Sequence, residues 1–84
     1  MKKKLFKIGE VSKKLGIHDQ TIRTYESKEL IKPTRSANNT RFFSKENINK
    51  ITIIITLTQE LGMNLSGVKM VFALSKKLGM NNDE

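Results

Sequence analysis

All three arginines of this 84-residue chain, Arg23, Arg35 and Arg41, fall between Ile8 and Phe43, although the chain carries sixteen lysines and arginines. Every other fixed cation is a lysine. The planar guanidinium fork suits phosphate oxygens and guanine edges, whereas lysine acts as a flexible point charge. An arginine cluster in one segment therefore points to an anion met in a defined geometry. Gln20 and Thr24 flank Arg23, and Gln20 and Thr21 lie near the start of the element that carries it. Glutamine can read an adenine edge, and base edges are reached from the beginning of a recognition helix. Arg35 and Arg41 bracket the turn formers Ser36-Ala37-Asn38-Asn39, a spacing from which both can straddle a phosphate track. Asn39 and Thr40 at the turn can add hydrogen bonds, though turn geometry alone also accounts for Asn39. His18 reads as a capping or phosphate-contacting group rather than a metal ligand, since it is the single histidine. Glu26 reads as structural, because an anion on such a face is repelled unless paired; Arg23 itself has Glu26 and Glu29 as alternative partners.

The elements that must position these groups follow from periodicity and punctuation. Ile8, Val11 and Leu15 recur at helical spacing and Gly16 stops them, which predicts a helix over residues 8–15. Asp19 is the expected N-cap of a second helix over 19–28. The short Gly16-Ile17-His18 connection between two short helices is a helix-turn-helix pattern. Pro33 ends helical continuation. Leu30-Ile31-Lys32 and Thr40-Arg41-Phe42-Phe43 flank the turn formers and predict a β-hairpin, a wing spanning 31–43. Ser44 is the expected cap of the next element, with Glu46 in its first turn.

That next element is ambiguous. Ile51-Thr52-Ile53-Ile54-Ile55-Thr56-Leu57-Thr58 is β-branched and largely alternating, a strand signal. Ile48, Ile51, Ile54/Ile55, Thr58 and Leu61 also recur at helical spacing, and the length of about seventeen residues up to Gly62 exceeds an ordinary strand. Leu65, Val68, Phe72, Leu74 and Leu78 then predict a final helix stopped by Gly79, with one apolar stripe for its own core. Ile53 and Leu57 lie off the main stripe and are expected to face a partner helix.

Composition bounds the function. The length allows one small domain over residues 1–84 that buries roughly 60–65% of its unfolded surface. The net charge of +8 and pI of about 10.0 favour an anionic partner, nucleic acid before membrane. The absence of cysteine fits a reducing cytosol and leaves no thiolate metal site. No apolar run approaches a bilayer span, and Met1-Lys2-Lys3-Lys4 lacks the apolar stretch of a signal peptide. Those lysines read as a solvated tail, with a backbone-tracking arm as the alternative. Richness in lysine, isoleucine and asparagine fits an AT-rich bacterial genome. No carboxylate pair, nucleophile–base pair or phosphate-cradling glycine loop suggests an enzyme, and no cofactor or metal is expected.

The chain resembles the N-terminal DNA-binding domain of the MerR family of bacterial transcription regulators. The resemblance rests on Ile8-Gly9-Glu10-Val11, Leu15-Gly16-Ile17, Thr21-Ile22-Arg23-x-Tyr25-Glu26, Leu30-Ile31-x-Pro33, Arg41-x-Phe43-Ser44 and Leu61-Gly62-Met63-x-Leu65-x-x-Val68-Lys69. His18-x-Gln20-Thr21-x-Arg23-Thr24-Tyr25 and Asn39-Thr40-Arg41-x-Phe43-Ser44 are similar to the heat-shock repressor branch. The resemblance implies a mainly α, winged helix-turn-helix fold with a two-stranded hairpin and two further helices, so that the ambiguous element is helical. It implies that helix 19–28 enters the major groove while the wing rides on the backbone, and that Arg23 and Tyr25 contact DNA. Phe43 stands where the family usually has tyrosine. The family's long dimerising helix and effector region are not expected within these residues.

The function expected is sequence-specific binding of double-stranded DNA at an inverted-repeat operator, as a cytoplasmic, nucleoid-associated repressor of stress or chaperone genes. The resemblance adds homodimers in full-length members and a chaperone as co-repressor, with this chain alone a monomer or weak dimer. Two other classes stay open: an excisionase-like or architectural accessory protein that bends DNA, and a basic surface that binds RNA or anionic lipid.

Overall fold

The computed structural model describes residues 4–79; Lys2 and Lys3 of the expected tail lie outside them. The elements run α1 (Ile8–Leu15), α2 (Asp19–Ser27), β1 (Thr34–Arg35), β2 (Arg41–Phe42), α3 (Lys45–Ile55), a π-helical turn (Thr56–Glu60) and α4 (Leu65–Lys77). The expected mainly α architecture with a two-strand hairpin is what forms.

Local chemistry explains the boundaries. Gly16 takes the left-handed conformation (φ 68°) that closes α1, and its N–H bonds back to the Ser12 carbonyl. At the other end of α1, Glu10 Oε1 accepts the Lys7 N–H at 2.8 Å, satisfying a donor that the helix leaves orphaned. His18, with extended backbone, occupies the N-cap of α2 and Asp19 is the first helical residue, so the cap lies one position earlier than the sequence suggested. Neither side chain makes the capping bond there; Asp19 instead supplies an acidic group to the first turn. Ser44 caps α3 as expected, and Asn47 completes a reciprocal box: Ser44 Oγ accepts the Asn47 N–H at 3.1 Å and Asn47 Oδ1 accepts the Ser44 N–H at 2.9 Å.

The β-branched run is helical up to Ile55 because Ile48, Ile51 and Ile54 are all buried on one face. Burial at helical spacing overrides the intrinsic strand preference. Beyond Ile55 the helix widens by one residue per turn, so Leu61 N–H reaches the Thr56 carbonyl five residues back. The threonines account for this. Thr58 Oγ1 donates to both the Ile54 and Ile55 carbonyls, at 2.9 and 3.2 Å, and competes with the backbone for those acceptors. The sequence pattern carries no sign of this π turn.

The wing is shorter than its sequence. β1 and β2 pair antiparallel, with Thr34 opposite Phe42 and Arg35 opposite Arg41. Leu30 and Ile31, expected to extend the first strand, are buried in the core instead. Phe6 adds a bridge to Phe43, with reciprocal N–H to carbonyl bonds of 2.8 and 2.7 Å, so the chain's first extended residues brace the root of the wing.

One apolar cluster serves all these elements: Val11 from α1, Ile22 and Tyr25 from α2, Leu30, Ile31 and Phe43 around the wing, three isoleucines from α3 and Val68 from α4. The final helix departs from expectation. Val68 is buried and Leu65 and Phe72 pack beside the cluster, but Leu74 and Leu78 are 58% and 62% exposed. A 13-residue helix is about 20 Å long, and only its first half lies over so small a core. Met70, Val71, Leu74 and Leu78 thus leave an apolar strip uncovered. Of the two residues expected to face a partner helix, Ile53 is exposed and Leu57 packs against the core.

Candidate nucleic-acid interface

α2 divides cleanly into two faces. Ile22 and Tyr25 point into the core, while Gln20 and Arg23 are exposed three residues apart. Arg23 has no ion pair or hydrogen bond among the described residues, so neither Glu26 nor Glu29 claims it. Its charge is free to meet an external anion. Thr21 and Thr24 are half-buried, and Thr24 Oγ1 donates to the Gln20 carbonyl at 2.9 Å. His18 is exposed at the leading end of the helix.

Tyr25, which the resemblance implies as a DNA contact, is turned inward. Only 5% of it is exposed, and it packs within the core. Burial pushes its phenol above the ordinary value, an effect that a hydrogen bond with Thr58 partly offsets. In this position Tyr25 fixes α2 against the π turn and supports the exposed face from behind.

Glu26 organises the rest. Arg41 Nε donates to Glu26 Oε1 at 2.6 Å, and Arg35 Nη2 donates to Oε2 at 2.9 Å. One carboxylate therefore holds both wing arginines to α2. Arg35 Nη1 also donates to the Asn39 carbonyl and Oδ1, at 3.1 and 3.2 Å, tying the strand to its own turn. Asn39 sits at φ 66°, the left-handed conformation that its place in the turn requires. Ser36 Oγ accepts the N–H groups of Asn38 and Thr40, both at 3.2 Å. Asn39 and Thr40 are exposed at the tip, and Arg41 is half-buried with its two terminal nitrogens unbonded among the described residues.

Burial would raise the Glu26 carboxyl, but hydrogen bonds from Arg41 and Arg35 outweigh it and hold the group below the ordinary glutamate value. A depressed folded-state pKa gives stability that is present above the unfolded value and lost as pH falls through the folded one. The tether between wing and helix is thus intact near neutrality and released in acid.

The structure accordingly brings His18, Gln20, Arg23, Arg35, Asn39, Thr40 and Arg41 to the surface of one helix and its adjoining wing, with Thr21 and Thr24 half-covered. Sequence reasoning missed the bridging of both wing arginines by Glu26, while Ser36 acts within the turn as its type suggested. Glu26 lies nine and fifteen residues from Arg35 and Arg41, a separation at which no local pattern signals a contact.

Comparison with known proteins agrees with this geometry. The profile of the MerR HTH family regulatory protein matches residues 6–75. The heat shock protein HspR of Streptomyces coelicolor is 33% identical over 63 residues, 75% of this chain and 42% of that protein. The transcriptional regulator GlnR of Bacillus anthracis is 35% identical over 72 residues, 86% of this chain and 55% of the relative. The mercuric resistance operon regulatory protein of Bacillus cereus is 36% identical over 64 residues, 75% of this chain and 48% of the relative. The chain spans about half the length of the curated relatives it matches. With a helix-turn-helix, a wing and a profile match across nearly all the described residues, this chain belongs to the MerR HTH family of DNA-binding transcription regulators, which are not enzymes.

Proposed function

We propose that the chain reads a specific duplex sequence by placing α2 in the major groove and laying the wing, residues 31–43, along the backbone. The observation that carries this reading is the exposed Arg23, unpaired among the described residues, beside a wing whose arginines are held in register with it by Glu26. Contacts are assigned to His18, Gln20, Thr21, Arg23, Thr24, Arg35, Asn39, Thr40 and Arg41. Repeated selection from a random duplex library tests the proposal: a single enriched motif is expected, and a pool that stays random after several rounds rejects sequence-specific reading.

The contacts also set the salt dependence. Arg23, Arg35, Arg41 and nearby lysines are expected to neutralise about four to six phosphates per protomer, giving a log–log salt slope of roughly −4 to −5. A binding constant that barely changes between low and physiological salt excludes this mode.

A repressor of stress or chaperone genes, acting in the bacterial cytoplasm, is the regulatory role we assign. The heat-shock name of the Streptomyces relative supports it. A chaperone co-repressor belongs to the same reading and rests on it. Chaperone transcripts should rise when the gene is deleted; unchanged transcripts reject the stress assignment.

The operator is expected to be an inverted repeat read by two protomers, since two-fold sites match two-fold assemblies. The uncovered strip on α4 supplies apolar surface for pairing, but Met70, Val71, Leu74 and Leu78 are far fewer than the roughly 20–30 residues a side of a stable interface. This chain alone should sediment as a monomer at micromolar concentration and pair only on DNA. A stable free dimer would show that the strip suffices by itself.

A further inference from the structure

The wing arginines do not stand free. Of the three arginines in the interface, two share one carboxylate, so the Arg35–Glu26–Arg41 group presents a net charge of +1 rather than +2. Glu26 is only 21% exposed, and Arg35 and Arg41 are 34% and 26% exposed. The group is partly withdrawn from water, where screening is weaker and geometry counts for more.

The bonding pattern is directional. Arg41 spends its Nε on Glu26, and its two terminal nitrogens make no hydrogen bond among the described residues. Arg35 spends Nη2 on Glu26 and Nη1 on Asn39. Each oxygen of the carboxylate therefore takes a different arginine, and the pair of guanidiniums is spaced by the width of one carboxyl group. Glutamine at this position retains the shape but presents one acceptor oxygen and one donor nitrogen. In the same pose its oxygen accepts from one arginine while its amide N–H groups face the other, and it neutralises neither charge.

We propose that Glu26 is a positioning residue that sets the wing's selectivity: it fixes where the two arginines meet the phosphates, and it removes one unit of charge that would otherwise attract any duplex. Both actions work through Arg35 and Arg41, and the proposal rests on the wing–backbone contact proposed above. Counterion release makes the charge arm quantitative. One added cation in the interface steepens the salt slope by about 0.9, which at 0.15 M salt corresponds to roughly five-fold tighter binding of arbitrary sequence. Loss of the fixed spacing acts oppositely on the preferred sequence, because its contacts require the wing in register.

The test compares the full chain with Glu26→Gln on two duplexes: one enriched by the wild-type chain from a random pool, and one of scrambled sequence. Each is titrated across a range of salt, with thermal melting as a check on folding. The expected result is tighter binding of the scrambled duplex, a salt slope steeper by about one, and a specificity ratio lowered roughly ten-fold. The double variant Glu26→Gln with Arg35→Gln returns the charge to its wild-type value, so scrambled-duplex affinity should fall back while selectivity stays low. Should Glu26→Gln fold poorly, Arg35→Gln alone is read in its place. It leaves Glu26 paired to Arg41 at zero net charge, and the slope should become shallower by about one.

Equal changes on both duplexes, or a slope that does not move in either variant, overturn the inference and leave Glu26 a purely structural residue. Failure of the wild-type chain to enrich any motif is a separate result: it overturns sequence-specific reading, and this inference with it.

Discussion

Phe43→Ala is expected to destabilise the domain by about 3–5 kcal/mol and to lower its melting temperature by roughly 15–30 °C. Phe43 is fully buried and is the largest of the wholly enclosed side chains. Its truncation removes apolar contact and leaves a cavity that neighbouring isoleucines fill only partly. Stabilities of 0.05–0.15 kcal/mol per residue put an 84-residue chain at about 4–13 kcal/mol in total. The variant therefore loses a large share of the stability, and at the lower end of that range nearly all of it. Position adds to the effect. Phe43 exchanges two backbone hydrogen bonds with Phe6 and directly precedes the Ser44 cap of α3, so the root of the wing, the extended segment at Phe6 and the start of α3 meet there. Phe42, the last residue of β2, directly before Phe43 and only half-buried, is the internal control. Its alanine variant should cost about 1–2 kcal/mol. Similar melting temperatures for the two variants would show that Phe43 has no larger part in the core than Phe42.

What could be read in the sequence was whatever is settled locally. The helix ends at Gly16 and Ser44, the turn around Asn39 and the two helices of the helix-turn-helix depend on residues within one or two turns of each other, and all formed within a residue of where they were expected. The shape of residues 51–60 was not settled locally. Its alternation and β-branching favour a strand, and the helix exists because three isoleucines bury together on one side, which is a property of the whole fold. The π turn arises from threonine hydroxyls competing for carbonyls, a choice that hydrophobic periodicity does not record. Helical spacing in α4 identified an apolar stripe, yet spacing alone does not say how far the core extends beneath it, so Leu74 and Leu78 were assigned to a core that ends before them. In the site, residue types located the arginines. The three-dimensional fold was needed to show that two of them answer to Glu26 and that Tyr25 turns inward.

Arg23→Ala should weaken binding to the selected duplex by about 1–3 kcal/mol, or some 5- to 150-fold, with little effect on folding. The asymmetry follows from its surroundings. Arg23 is exposed and unpaired among the described residues, so truncation leaves no buried charge and no orphaned acceptor, and alanine is at least as good a helix former. Arg41 presents the opposite case, because its removal also strips Glu26 of a partner and loosens the wing. A binding loss at Arg23 can therefore be attributed to the contact itself, whereas a loss at Arg41 mixes contact with position. Lys76, exposed in the last turn of α4, carries charge without belonging to the helix–wing surface, and its alanine variant should lose little. The form of the Arg23 loss distinguishes the two contacts open to a guanidinium. If it clamps a phosphate, affinity falls by the same factor on every sequence and the salt slope becomes shallower by about one; if it reads a guanine edge, discrimination is relaxed at one base position. Equal losses at Arg23 and Lys76 would mean that charge alone holds the complex, and α2 would have no claim to be the helix that reads the sequence.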